Sequence, residues 1–178
     1  MRIESLAHER GIEISWRPFL LGPIFQNQGW NDSPFNLYPE KGNYMWRDLE
    51  RICANDKIPY SRPSEFPRNG LLAARVACCF ANAAWLPKFV RSIYQANFAH
   101  DQDIANPIVV KECLSPSGED PEKLLTEAQA PDSKQRLRTQ TEEAARLRIF
   151  GAPSFTVSNE LFWGNDRLED ALEWLADS

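Results

Sequence analysis

The chain has 178 residues, enough for one domain or for one domain carrying a large insertion, and its 43% hydrophobic and 11% aromatic content excludes a disordered or fibrous chain. A net charge of −5 with no cluster of Lys and Arg argues against nucleic acid as a partner. The longest apolar runs, residues 71–74 and 76–81, fall far short of the ~18 residues of a membrane span, and the charged residues 1–11 lack the apolar core of a secretion signal, so a cytoplasmic protein with no membrane partner is expected.

In chain order, residues 3–10 read as a helix that Gly11 stops, because glycine accepts the positive φ of a helix end. Apolar and polar residues alternate in Ile12-Glu13-Ile14-Ser15-Trp16, which predicts a strand that Pro18 closes. Residues 17–41, rich in Gly, Pro and Asn, read as a long loop, and loops of that length are usually functional. A helix is predicted over 44–52, followed by a second irregular stretch marked by Pro59, Pro63, Pro67 and Gly70. Both irregular stretches are candidate binding surfaces.

Residues 71–85 read as one helix by their Ala and Leu content, and Pro87 can open another that carries Phe89, Val90, Ile93, Tyr94 and Asn97. Asp120-Pro121 and Asp132-Ser133-Lys134-Gln135 are start signals for further helices, the second running to about Phe150 with Gly151 as its stop. The period then changes. Residues 154–158 and 161–163 read as two short strands around Asn159-Glu160. A last helix follows, with Asp166 and Glu169 as a capping-box-like pair and Leu168, Ala171, Leu172 and Leu175 on one face.

The four cysteines, Cys53, Cys78, Cys79 and Cys113, form no C-x-x-C pair, and only His8 and His100 are present. Dithiol redox chemistry is disfavoured on that count, and no metal site is expected. Adjacent Cys78 and Cys79 lie in an Ala-rich helical run and read as packing residues.

Two stretches, Ile149-Phe150-Gly151-Ala152-Pro153-Ser154-Phe155 and Leu161-Phe162-Trp163-Gly164-Asn165-Asp166-Arg167-Leu168, resemble the C-terminal signature of the 2-hydroxychromene-2-carboxylate isomerases. Trp16-Arg17-Pro18, Lys41 with Tyr44-Met45-Trp46-Arg47-Asp48-Leu49, and Phe66-Pro67-Arg68-Asn69 extend the similarity along the whole chain, in order. The resemblance implies an α/β thioredoxin-like fold of the superfamily that also holds DsbA-like oxidoreductases and kappa-class glutathione transferases, with a helical domain inserted after an early strand. On this chain the thioredoxin-like part would be residues 1–30 and 132–178, and the insertion residues 31–131. It also implies glutathione as a cofactor, a small aromatic carboxylate as substrate, and a homodimer as one possible assembly.

By the same resemblance Pro153 is the cis-proline of the fold, and the backbone of Ala152 pairs with glutathione like an added strand. Trp163, Gly164, Asn165 and Asp166 complete the glutathione side. Asp166 is open to two compatible readings, a helix cap or the partner of the γ-glutamyl ammonium, and Trp163 is equally core or ligand wall. Lys41, Phe66, Arg68 and Asn69 are the substrate-side candidates, with solvated surface as the alternative for Lys41 and loop punctuation for the others. Arg47 and Asp48 read as helix braces.

Family members open with a strand and a turn of the form F-D-F-x-S-P-Y-S, whose first serine hydrogen-bonds the glutathione sulfur. Residues 1–6 match the later part of the helix after that turn, so about 20 residues of the pattern have no counterpart and no catalytic residue is assigned; Ser5 lies inside the helix. The first, central strand is therefore expected to be missing and activity of the chain as written to be low. An upstream start, a degraded relative and completion by another chain remain open, as do a kappa-like transferase and a non-catalytic binding module.

Overall fold

The computed structural model describes residues 2–176. Helix α1 (Ile3–Glu9) ends as its sequence dictates: Gly11 has φ 66°, its N–H donates to His8 O at 3.1 Å, and Ile12 N–H returns to Ala7 O at 2.9 Å. The strand expected over 12–16 is not formed. Its period survives in burial, with Ile12, Ile14 and Trp16 half-buried and Glu13, Ser15 and Arg17 exposed. Among the described residues, however, the backbone of 13–17 makes no hydrogen bond. Alternation sets which side chains face inward, whereas a ladder needs a neighbouring strand.

Residues 17–41 are not a loop. They hold α2 (Leu21–Asn27), α3 (Pro34–Leu37) and the first turn of α4 (Pro39–Asn55). Their prolines read as breakers, yet Pro34 and Pro39 stand in first turns, where the missing N–H costs nothing. Ser33 Oγ accepts the Phe35 N–H at 3.3 Å and so caps α3. Gly42, buried in α4, lies under the Phe35 carbonyl so closely that a Cβ would overlap it.

The run 71–85 is helical only as far as α5 (Leu71–Cys79); residues 80–85 form a turn, and α6 (Leu86–Phe98) follows. The turn between them brings the Phe80 and Trp85 rings to 5.4 Å. Next come α7 (Pro107–Leu114), α8 (Pro121–Gln129) and α9 (Pro131–Arg146). Asp120 caps α8 as expected, its Oδ1 accepting the Glu122 N–H at 3.0 Å. Helix α9 begins one residue before Asp132, which makes no capping bond, because Pro131 already supplies a preset first turn. It ends at Arg146, short of Phe150: Arg148, at φ 58°, takes the left-handed position expected of Gly151.

The main core lies among α5–α8. Val76, Leu86, Val110 and Leu114 are fully buried there, and Phe89 nearly so, with Trp16 packed against the cluster from outside. Helix α9 lies across α5 and buries its own Leu137 and Ala144.

The C-terminal part is a hairpin of β1 (Ser154–Val157) and β2 (Glu160–Trp163), antiparallel, with Ser154 opposite Trp163 and Val157 opposite Glu160. The turn is Ser158-Asn159, one residue earlier than expected, because Ser158 accepts φ 53° and Glu160 joins the ladder. Helix α10 (Leu168–Ala176) packs on the hairpin and buries Leu168, Ala171 and Leu172. The expected capping box is not built: a 3₁₀ turn at Asn165–Arg167 delays the helix to Leu168, and Glu169 pairs with Arg2 instead.

Candidate functional site

The end of the hairpin gathers the six residues expected on the glutathione side, Ala152, Pro153 and Trp163 to Asp166. The Ala152–Pro153 peptide is cis, and both residues are exposed. Pro153 O accepts the Gly164 N–H at 3.0 Å, which extends the ladder one step past the Ser154–Trp163 pair. Hydrogen-bonded and open positions alternate along an antiparallel pair, so Pro153, Phe155 and Val157 turn their backbone groups toward β2. Those of Ser154 and Thr156 point to the free edge of β1, next to Ala152.

Trp163 is 51% exposed and meets Phe150 edge-on at 4.9 Å between ring centroids. Its indole lies over Gly151 so closely that a Cβ there would collide with Nε1, which is what requires a glycine at this position. Gly164, at φ 112°, is covered in turn by Asp166, whose Oδ1 would stand 2.5 Å from a Cβ. Among the described residues the Asp166 carboxylate makes no capping bond. It is 76% exposed, with Arg167 Nη2 at 3.6 Å from Oδ2. Arg2 fastens α1 to this end of the molecule by donating to Asn165 O at 2.7 Å and by its ion pair with Glu169.

The substrate-side candidates divide between two places. Lys41, exposed in the first turn of α4, holds its ammonium 5.4 Å from the Tyr38 ring. Phe66 lies edge-on to Trp46 of α4 at 4.8 Å, its carbonyl accepts from Asn36 Nδ2 at 3.2 Å, and the peptide that follows it, Phe66–Pro67, is also cis. Arg68 turns the other way, with a side chain only 5% exposed. Its Nη1 donates to Asn97 Oδ1 and Gln102 O at 3.0 and 3.1 Å, and its Nη2 to Ser64 Oγ and Asp101 Oδ1 at 3.0 and 2.5 Å. The Ser64 N–H and then the Arg68 guanidinium hold the Asp101 carboxyl below the usual carboxylate range. Asn69 Oδ1 accepts from Leu71 N–H at 3.0 Å at the start of α5. Arg47 and Asp48 pair along α4 with Glu50 and Arg51, at 2.6 and 3.5 Å.

Burial pushes the thiols of Cys53, Cys78, Cys79 and Cys113 upward, so none is held as a nucleophilic thiolate at neutral pH. Among the described residues no helix is long and apolar enough to cross a membrane. Sequence reasoning missed the packing of Gly151 under Trp163 and the second cis bond. The first is a contact across the chain that no local pattern announces; for the second, the Phe-Pro dipeptide was a signal that went unused.

The chain is 29% identical over 173 residues to human glutathione S-transferase kappa 1, covering 89% of this chain and 75% of that protein. It is 27% identical over 179 residues to 2-hydroxychromene-2-carboxylate isomerase of Sphingobium xenophagum, covering 99% and 90%. A solved structure of a 2-hydroxychromene-2-carboxylate isomerase superposes with a TM-score of 0.82 at 24% identity, over 98% of this chain and 87% of that one. That superposition gives the fold, a thioredoxin-like α/β architecture that is mostly helical with a small sheet. The model of the DSBA-like thioredoxin domain matches residues 1–176, and the chain belongs to that family.

Proposed function

We propose that this chain is a glutathione-dependent isomerase that acts on aromatic carboxylates of the 2-hydroxychromene-2-carboxylate type. The observation that carries the reading is the exposed Ala152–Pro153 cis peptide at the free edge of β1, beside the uncapped Asp166 carboxylate. A bound tripeptide needs a backbone clamp and a partner for its ammonium. Ala152 with the open edge of β1 fits the first need and Asp166 the second. When bound, glutathione would supply a nucleophilic thiol, which the chain's own cysteines, their thiols pushed upward by burial, do not offer.

In this reading Trp163 walls the clamp, and Gly164 and Asn165 shape the turn that presents Asp166. Lys41, Phe66, Arg68 and Asn69 belong to the substrate side. Lys41 meets solvent and can take a carboxylate directly, whereas Arg68 keeps the 64–69 loop in shape. The clamp lies in a thioredoxin-like part, residues 1–30 and 132–178, and the substrate loop in a helical insertion, residues 31–131.

Two measurements test the reading. Titrating the chain with S-methylglutathione in a calorimeter should give saturable binding, and absence of binding to the folded protein would remove the clamp. Incubation with 2-hydroxychromene-2-carboxylate and glutathione should then give isomer without loss of glutathione, at a low rate because no residue of this chain is assigned to hold the sulfur as thiolate. Consumption of glutathione into a stable conjugate would make the protein a transferase, as the name of the human relative describes.

A further inference from the structure

A cavity of about 160 Å³ opens between the start of α5, Ala105 and the end of α8. Its lining is mixed: Leu71, Leu72 and Ala105 are apolar, while Asn69, Arg75 and Gln129 are polar. Arg75 is half-buried, and among the described residues its guanidinium makes no hydrogen bond or ion pair; its Nε is fully shielded without an acceptor. A shielded cation is costly unless an anion or several acceptors meet it. Arg68, seven residues earlier, also has a shielded Nε without an acceptor, but its Nη1 and Nη2 are met by Asp101, Asn97 and two backbone carbonyls.

The other polar groups favour an anion as well. Leu71 N–H is taken by Asn69 Oδ1, which leaves the Asn69 amide N–H groups free to donate, and Gln129 Nε2 uses one of its two hydrogens on Leu125 O at 3.2 Å. The amides of Leu72 and Ala73 have no carbonyl one turn earlier in their own helix. No carboxylate lines the space. A lining that combines an arginine and amide donors with leucines suits a ligand with an anionic head and an apolar body.

We infer that this cavity binds a small organic carboxylate, with Arg75 as its anion anchor and Leu71 and Leu72 against its hydrocarbon part. The inference holds whether or not glutathione is the cofactor, and its test uses no turnover. Benzoate, titrated into the whole chain and followed by calorimetry and by ¹⁵N chemical shifts, should saturate and shift the amides of residues 69–75 and 105. Neutral benzamide should bind at least 10-fold more weakly, and inorganic phosphate should not displace benzoate at equal concentration. Arg75→Met, which keeps the aliphatic stem, should weaken benzoate by 10-fold or more. Gln129→Glu, at an exposed position outside the core, should do the same by placing a tethered carboxylate beside the guanidinium. Equal binding of benzoate and benzamide, shifts confined to other residues, or undiminished benzoate binding by Gln129→Glu would overturn the assignment.

Discussion

The helical block α5–α8 and the C-terminal hairpin with α10 close their apolar surfaces to very different degrees. In the block, Leu86 and Leu114 are wholly enclosed and Phe89 is 2% exposed. In the hairpin unit, Trp163 and Trp174 stay about half exposed, Leu175 is 40% exposed, and among the described residues one edge of β1 has no neighbouring strand. Helices satisfy their backbone internally, so a helical bundle is complete once its apolar faces meet. A strand is complete only when another strand lies beside it. The same difference leaves an exposed aromatic and an open edge at the hairpin, the two features on which the proposed peptide clamp rests.

Substitutions should separate the two regions by size of effect. Phe89→Ala removes a ring from the closed core, and chemical denaturation should show a loss of about 3–5 kcal/mol; a loss below about 1 kcal/mol would mean that the block is not the stabilising half. Arg68→Ala leaves Asn97 Oδ1 and the Gln102 carbonyl without their donor and should cost about 2–3 kcal/mol. A pH dependence accompanies it. Because the Asp101 carboxyl is held low in the folded state, its contribution is complete above the ordinary carboxylate range and is lost as pH falls through the lowered value. Asp101→Asn should therefore lessen the loss of stability on acidification below the ordinary carboxylate range, measured by denaturation as a function of pH. An unchanged slope would place the acid sensitivity elsewhere.

Smaller effects are expected at the hairpin. Gly151→Ala pushes against the Trp163 indole; since that ring is half exposed and can move, the cost should be about 1 kcal/mol, with a change in tryptophan fluorescence and several-fold weaker S-methylglutathione binding. Fluorescence and binding both unchanged would detach Trp163 from the clamp. Asp166→Ala should leave stability within about 0.5 kcal/mol while raising the glutathione concentration for half-maximal binding. A stability loss beyond 1 kcal/mol with unchanged binding would make Asp166 a structural residue.

The sequence was most readable where local chemistry decides. Gly11, Asp120 and the period of Leu168, Ala171 and Leu172 each act within one turn of their own helix, and each does what its residue type implies. The family-specific run from Gly151 to Asp166 placed the candidate clamp for a similar reason, because its parts are close in the chain and meet through one hairpin. Reading failed where distant partners decide. Residues 12–16 carry a strand's pattern without a ladder, and Arg148 ends α9 in place of a glycine. Arg68 and Arg75 differ in surroundings set by α6, α8 and the 101–105 loop. Nothing within a few residues of either arginine tells the paired one from the unpaired one.

The segment 13–17 joins properties that experiments usually report together. Trp16 is packed against the core cluster, so its emission should resemble that of a fixed, partly shielded indole. The amides around it have no acceptor within the described residues, so their hydrogens should exchange with solvent almost as fast as in a coil. Exchange and fluorescence would disagree about these five residues: one would report an open chain and the other a seated side chain. The segment is held by its side chains alone, and a ligand or strand that hydrogen-bonded to it would change the exchange rates while leaving the tryptophan spectrum nearly as it was.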